Sequence, residues 1–248
     1  MESKEAKKIV LTEAQREENL RIAAYLLEKG CYLTLIANGS EKIDSFFNDL
    51  TTEHKSRCFV RCLDDYTEIR VSEVIDSIID TMQGVDVFIN GLPGINEKAL
   101  LKQLPHSFGK ELAADFDKLF LLNREIVRYM VRQKTGNIIF LMIDDILHFA
   151  DYPVSPVNNE GRLALMKSLA KELNPFRIKV NSLTFGIYDR GFKPAEKKLM
   201  QKKLEFCALK PLIPKWEELL PTLDVLINSS FQHMTGQNFS ASIGSRNT

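Results

Sequence analysis

Two clusters in this chain of 248 residues have the side chains of a metal site. Asp144, Asp145 and His148 lie together after an apolar run, and carboxylates with histidine bind divalent ions. His54, Cys58 and Cys62 recur every four residues. They fall across what reads as a loop and a strand, which does not converge them on one ion. A solvated loop is the expectation for the first cluster, and no metal site is expected at either. No Ser-His-Asp arrangement can be read. The run Lys197–Lys203 is lysine-rich and reads as a solvated helix face.

The elements that position these residues follow from hydrophobic periodicity. From Gly136 to Gly186 the chain reads as an apolar strand, a loop, an amphipathic helix and a second apolar strand. Leu163, Met166, Leu169, Ala170 and Leu173 recur at three and four residues, so one helix face is apolar. Strand, helix and strand joined by short loops imply a right-handed parallel crossover. Strands are also predicted at Lys8–Thr12, Cys31–Ala37, Cys58–Leu63, Val85–Asn90 and Gln237–Ile243. Helices are predicted at Leu20–Gly30, Glu41–Leu50, Val71–Met82, Ser107–Gln133, Lys193–Leu209 and Pro221–Ser229. This alternation predicts an α/β fold with a doubly wound parallel sheet, Rossmann-like, as a single domain over residues 1–248.

The chain resembles the short-chain dehydrogenase/reductase superfamily over nearly its whole length, from Lys8 to Gly244. The residues carrying the resemblance include the Gly136–Gly186 unit and Asn90-Gly91-Leu92-Pro93-Gly94, which looks like a worn Asn-Asn-Ala-Gly motif. They also include Val180-Asn181-Ser182 and the segment from Met234 to Ser240, although Ser242-Ile243-Gly244 replaces the usual Asp-Gly-Gly. In this family Thr-Gly-x-x-x-Gly-x-Gly follows the first strand, letting the backbone approach a pyrophosphate at a helix N-terminus. The matching residues here are Thr12 to Asn19, with Glu13, Glu17 and Asn19 at the glycine positions. Two carboxylates there would repel a pyrophosphate, and all three side chains would fill its space. Loss of ordinary dinucleotide binding is expected. Arg16 is either a residual phosphate contact or a solvated loop residue. Two remnants of the cofactor site persist: Asp64 sits where the family contacts adenine, and Asn90 belongs to a motif that also steadies the sheet.

The resemblance also locates the catalytic positions. A tyrosine acts as proton donor when a lysine lowers its pKa, with a serine bonding the substrate oxygen. Counted along the family pattern, serine falls at Ile143 beside Met142, tyrosine at Ser155, lysine at Asn159 and the helical asparagine at Asp115. All four members are replaced. Tyr152 lies seven residues before Asn159, the tyrosine-to-lysine spacing of the enoyl-ACP reductase branch, and is a weak candidate acid. Its lysine is still missing, because Lys167 lies about 12 Å further along the helix. The Pro-Gly and threonine that seat the nicotinamide correspond to Phe185-Gly186 and Arg190.

Composition narrows the setting. Thirty-three basic residues balance thirty-three acidic ones, which favours neither nucleic acid nor a membrane surface. No apolar run is long enough to span a bilayer. The charged start Met1 to Lys8 predicts no signal peptide, and Cys31, Cys58, Cys62 and Cys207 show no disulfide spacing, so a cytoplasmic location is expected. A fold kept without its functional positions looks like a pseudoenzyme. The resemblance implies a tetramer whose main dimer contact uses the helices Ser107–Gln133 and Glu160–Leu173. Phe116, Phe120, Leu121, Ile126, Val127, Met130 and Val131 make the first of these apolar on more than one face. The leading expectation is a non-catalytic structural subunit of a hetero-oligomeric short-chain dehydrogenase. It would pair with an active paralogue of hydroxyacyl-CoA or alcohol dehydrogenase type, with NAD(P) held by that partner and no cofactor in this chain. The benzylsuccinate (toluene) degradation step is one setting for such subunits, although nothing in the sequence selects a pathway. The alternatives are a divergent active NAD(P)-dependent oxidoreductase and a ligand-sensing regulatory protein.

Overall fold

The computed structural model describes residues 6–39, 41–103, 105–205, 211–229, 231 and 233–242. Cys207, Ile243, Gly244 and the end of the helix predicted to reach Leu209 lie outside the described residues. Seven strands form one parallel sheet: β1 Lys8–Leu11, β2 Tyr32–Ala37, β3 Cys58–Cys62, β4 Val87–Asn90, β5 Gly136–Ile143, β6 Ile178–Phe185 and β7 Asn238–Ala241. Their order across the sheet is β3-β2-β1-β4-β5-β6-β7. The chain steps outward from β1 to β3, then returns to the other side of β1 through β4. The order therefore reverses between β1 and β4, and the crevice beyond those strand ends is where open α/β sheets bind ligands.

Strands buried on both faces become nearly continuous apolar runs, and β5 is buried at every residue. Alternate side chains then go to opposite faces. Ile139, Leu141 and Ile143 join one core with Ile22, Ala23, Leu26 and Leu27 of α1 (Glu17–Glu28). Ile138 and Phe140 join the other core. There they meet α4 (Glu68–Met82), α6 (Pro105–Gln133) and α7 (Pro156–Leu173), through Ile75 and Ile78, Ile126 and Met130, and Met166 and Ala170. The other helices are α2 (Glu41–Asp49), α3 (Thr52–Arg57), α5 (Glu97–Gln103), α8 (Pro194–Lys203), α9 (Trp216–Leu219) and α10 (Pro221–Asn228).

The predicted doubly wound parallel sheet is the observed one. The differences lie in short helices and helix starts. α3, α5 and α9 were not expected, since none is long enough to display a full apolar period. His54 therefore sits on α3 rather than in a loop. α7 begins at Pro156, where Ser155 caps it by accepting from the Asn158 amide at 3.2 Å. Serine followed by proline at the first helical position is a recognised start signal, and the expected start near Glu160 was too late. Gly161 allows α6 and α7 to touch, because a Cβ there would overlap the Phe116 ring. No described helix is long and apolar enough to cross a membrane.

Candidate functional site

The crevice at the ends of β1 and β4 is built first by the turn after β1. Thr12 accepts the Gly91 amide at 3.0 Å, tying this turn to the loop after β4. Glu13 takes φ +56°, the left-handed conformation that suits a glycine. The backbone thus keeps a glycine's shape while carrying a carboxylate. That carboxylate is buried and ion-paired to Lys118 on α6. Lys118 also lies 3.1 Å from Asp115, and Asp115 lies 3.5 Å from Arg162 of α7. Asn158 donates to Asp115 at 3.1 Å, and Arg162 donates to the Gly91 carbonyl at 3.1 Å. Two acids and two bases therefore alternate through the crevice and cancel in charge. Burial pushes the Asp115 carboxyl up, but the Arg162 and Lys118 charges outweigh it and hold the group below the ordinary carboxylate range. For Lys118, burial favours the neutral amine, yet Glu13 and Asp115 raise its pKa above the usual lysine value.

Asn19, at the last of the three glycine positions, is fully buried. Its amide donates to the carbonyls of Glu13 at 2.9 Å and Leu92 at 3.2 Å, and its oxygen accepts the Leu92 amide at 3.0 Å. It clamps the two loops where a glycine would leave room. Glu17 departs from expectation: it heads α1 on the exposed side and pairs with Arg21 at 2.9 Å, so its carboxylate does not enter the crevice. The inward carboxylate is its neighbour Glu18, which accepts the Tyr188 phenol at 2.9 Å. Arg16 lies 3.9 Å from Glu18. Asp64 is exposed and accepts the Gly39 amide at 2.9 Å. Asn90 exchanges side-chain hydrogen bonds with Asn123 of α6 at 3.1 and 2.8 Å, which steadies the sheet against that helix.

Of the four positions that the family pattern marks as catalytic, three carry side chains that are likewise bonded internally. Asn159 donates to the Ile143 carbonyl at 2.7 Å and to Asp145 at 2.6 Å. Ser155 donates to Glu97 of α5 at 2.8 Å. Ile143 is an apolar core side chain, and Asp115 belongs to the charge network. Tyr152 is buried and donates its phenol to the Tyr188 carbonyl at 2.6 Å. Burial raises its pKa, and the Arg190 guanidinium 5.5 Å from its ring centre only partly opposes that. A phenol so placed is a weaker acid than a free tyrosine. Asp144 and Asp145, with Ile146, Phe149, Asn159, Glu160 and others, line a cavity of about 490 Å³ beside the N-terminus of α7. Burial raises the Asp145 pKa, as do the nearby Glu160, Asp144 and Glu97 charges, against the opposing effect of the Asn159 bond. Among the described residues no three His, Cys, Asp or Glu side chains are grouped to hold a metal ion.

Lys118, Arg162, Asn123 and Tyr188 were missed by the sequence reading. Arg162 carried one signal: it lies four residues before Met166, so it shares the buried face of the helix, where an unpaired charge is not tolerated.

The sequence profile of short chain dehydrogenases matches residues 7–199, and the chain belongs to that family. It is 22% identical over 184 residues to the 3-oxoacyl-acyl-carrier-protein reductase FabG of Aquifex aeolicus, covering 73% of each chain. It is 26% identical over 170 residues to FabG of Buchnera aphidicola, covering 67% of this chain and 69% of that protein. Among solved structures, NAD+-bound xylitol dehydrogenase superimposes with a TM-score of 0.73 at 17% identity, over 96% of this chain and 98% of that one.

Proposed function

We propose that this short-chain dehydrogenase is a non-catalytic subunit that pairs with an active NAD(P)-dependent paralogue, of hydroxyacyl-CoA or alcohol dehydrogenase type. The observation that carries the reading is what fills the crevice. Glu13 and Asn19, at two of the glycine positions, and Asp115, Ser155 and Asn159, at three catalytic positions, are each engaged in internal bonds. A dinucleotide would have to break the Glu13–Lys118 pair to reach the turn, and breaking a buried pair costs about 3–5 kcal/mol. A micromolar ligand supplies only about 8 kcal/mol in total.

The outer surface supports a partner. On α6, Phe120 is 55% exposed, and Phe116, Leu121, Val127 and Val131 are partly buried. Leu163, Leu165 and Leu169 of α7 are also only partly covered. An obligate interface removes more than about 2,000 Å² from water. Co-expression with an intact family member from the same genome should give a mixed tetramer by native mass measurement. The purified chain should show no micromolar binding of NAD(H) or NADP(H) by calorimetry. A well-behaved monomer that ignores every such family member would end the subunit reading.

The second reading is a divergent oxidoreductase, favoured by the reductase names of the FabG relatives. Its proton donor would be Tyr152, and NAD(P) turnover by the pure chain would put it first.

A further inference from the structure

Tyr188 follows β6 by three residues, while Glu18 stands in the first turn of α1 beyond β1. Those two strands are separated in the sheet by β4 and β5. Three inter-strand spacings amount to about 14 Å, so the loop after β6 must lean back across the ends of β4 and β5 for the two side chains to meet. They meet at 2.9 Å. The loop is held from both sides. The Tyr188 carbonyl accepts the Tyr152 phenol at 2.6 Å, and the Asp189 amide donates to the Pro214 carbonyl at 2.8 Å. Underneath, the Tyr188 ring rests against Trp216, with ring centres 4.6 Å apart, and Trp216 rests against Phe185 at 4.7 Å. Tyr188 is 4% exposed and Trp216 is wholly buried.

We propose that residues 186–192 form a strap over the switch-point crevice, and that the Tyr188–Glu18 hydrogen bond is its latch, shutting out any dinucleotide-sized ligand with this chain's own phenol. The proposal deepens the reading above by naming what keeps the crevice closed. Glu18 holds the phenol as an acceptor. Burial disfavours its ionised form, but a backbone hydrogen bond, the Arg16 and Arg190 charges and the Tyr188 phenol outweigh it and lower its pKa.

The test uses the chain's single tryptophan, Trp216, which lies under the latch. In the purified protein, Tyr188→Phe and Glu18→Ala should each raise acrylamide quenching of Trp216 at least twofold, and should speed amide exchange across residues 186–192. Glu18→Gln keeps an oxygen acceptor and should behave as the parent does. The double variant Tyr188→Phe with Glu18→Ala should open the strap no further than either single variant, because one bond is lost in all three. If Tyr188→Phe does not fold, Glu18→Ala and Glu18→Gln still decide, since neither alters the aromatic packing. Parent-like quenching in Glu18→Ala, or Glu18→Gln as open as Glu18→Ala, would overturn the latch. No nucleotide or partner enters this measurement. Failure of the latch is therefore read separately from failure of the subunit reading, which co-expression and nucleotide calorimetry decide.

Discussion

Replacing Glu13 with glycine would restore the residue type the family places after the first strand, and the structure sets two opposing effects against each other. In favour of glycine, Glu13 sits at φ +56°, a left-handed conformation that costs a non-glycine residue about 1–2 kcal/mol. Against it, the substitution removes one of the two carboxylates holding Lys118, whose side chain is only 18% exposed. Removing one partner of a buried pair costs about 3–5 kcal/mol. Asp115 remains 3.1 Å from Lys118, so the low end of that range applies. The balance is a net loss of about 1–2 kcal/mol for Glu13→Gly. Shortening the lysine at the same time, in Glu13→Gly with Lys118→Ala, should recover part of that loss, because no cation is then left short of a partner. Urea unfolding of the four proteins at one concentration gives the cycle, and a coupling of about 1–3 kcal/mol is expected for groups in direct contact. If Glu13→Gly proved neutral or stabilising, the ion pair would not compensate the strained turn, and the claim that the crevice is closed by a stabilising network would fail.

Other consequences follow from the same contacts. The folded-state pKa of Asp115 lies below its unfolded value near 3.9. Its stabilisation is therefore complete above that unfolded value and lost as pH falls through the depressed folded one; Asp115→Asn should flatten this acid limb in a denaturation series, and an unchanged limb would refute the assignment. Tyr152→Phe removes one buried hydrogen bond and should cost about 1 kcal/mol, with no effect on any dehydrogenase activity of a co-purified complex. Phe120→Glu changes an exposed residue and should leave the chain folded. It should release the partner from a mixed tetramer, because an unpaired charge in an interface costs several kcal/mol; a complex of unchanged mass would move the interface elsewhere.

The strands and long helices were legible because each buries a face with its own period. β5 reads as an unbroken apolar run, and α7 repeats apolar residues at three and four. The residues that fall at the family's glycine and catalytic positions, Glu13 and Ser155 among them, can also be read locally, since a residue type at a motif position is a local fact. The partners these residues find are not local. Glu13 finds Lys118 and Tyr188 finds Glu18 only once the sheet has brought distant segments together. Glu17 and Glu18 illustrate the limit. They are neighbours with the same side chain, and the motif pointed to Glu17. The helix starts at Glu17, so its 100° turn per residue sends that side chain to solvent and carries Glu18 inward.

The internal bonds also bear on why the fold persists. Polar groups buried in a crevice need partners that compensate their desolvation. Here Asn19, Asp115, Asn159 and Arg162 are at most 5% exposed, and each has protein partners. The network is neutral as a set, so it needs no bound ion. Such a chain folds around its own side chains at the place where its family opens toward a cofactor. Phe120 of α6 and Val157 of α7 are among its exposed large apolar side chains, and the proposed partner contact would cover them. If the chain instead turned over a substrate alone, the Glu13–Lys118 pair and the Tyr188–Glu18 bond would have to open in every cycle. Glu13→Gly and Glu18→Ala would then raise the turnover rate, whereas a scaffold subunit would gain no activity from either.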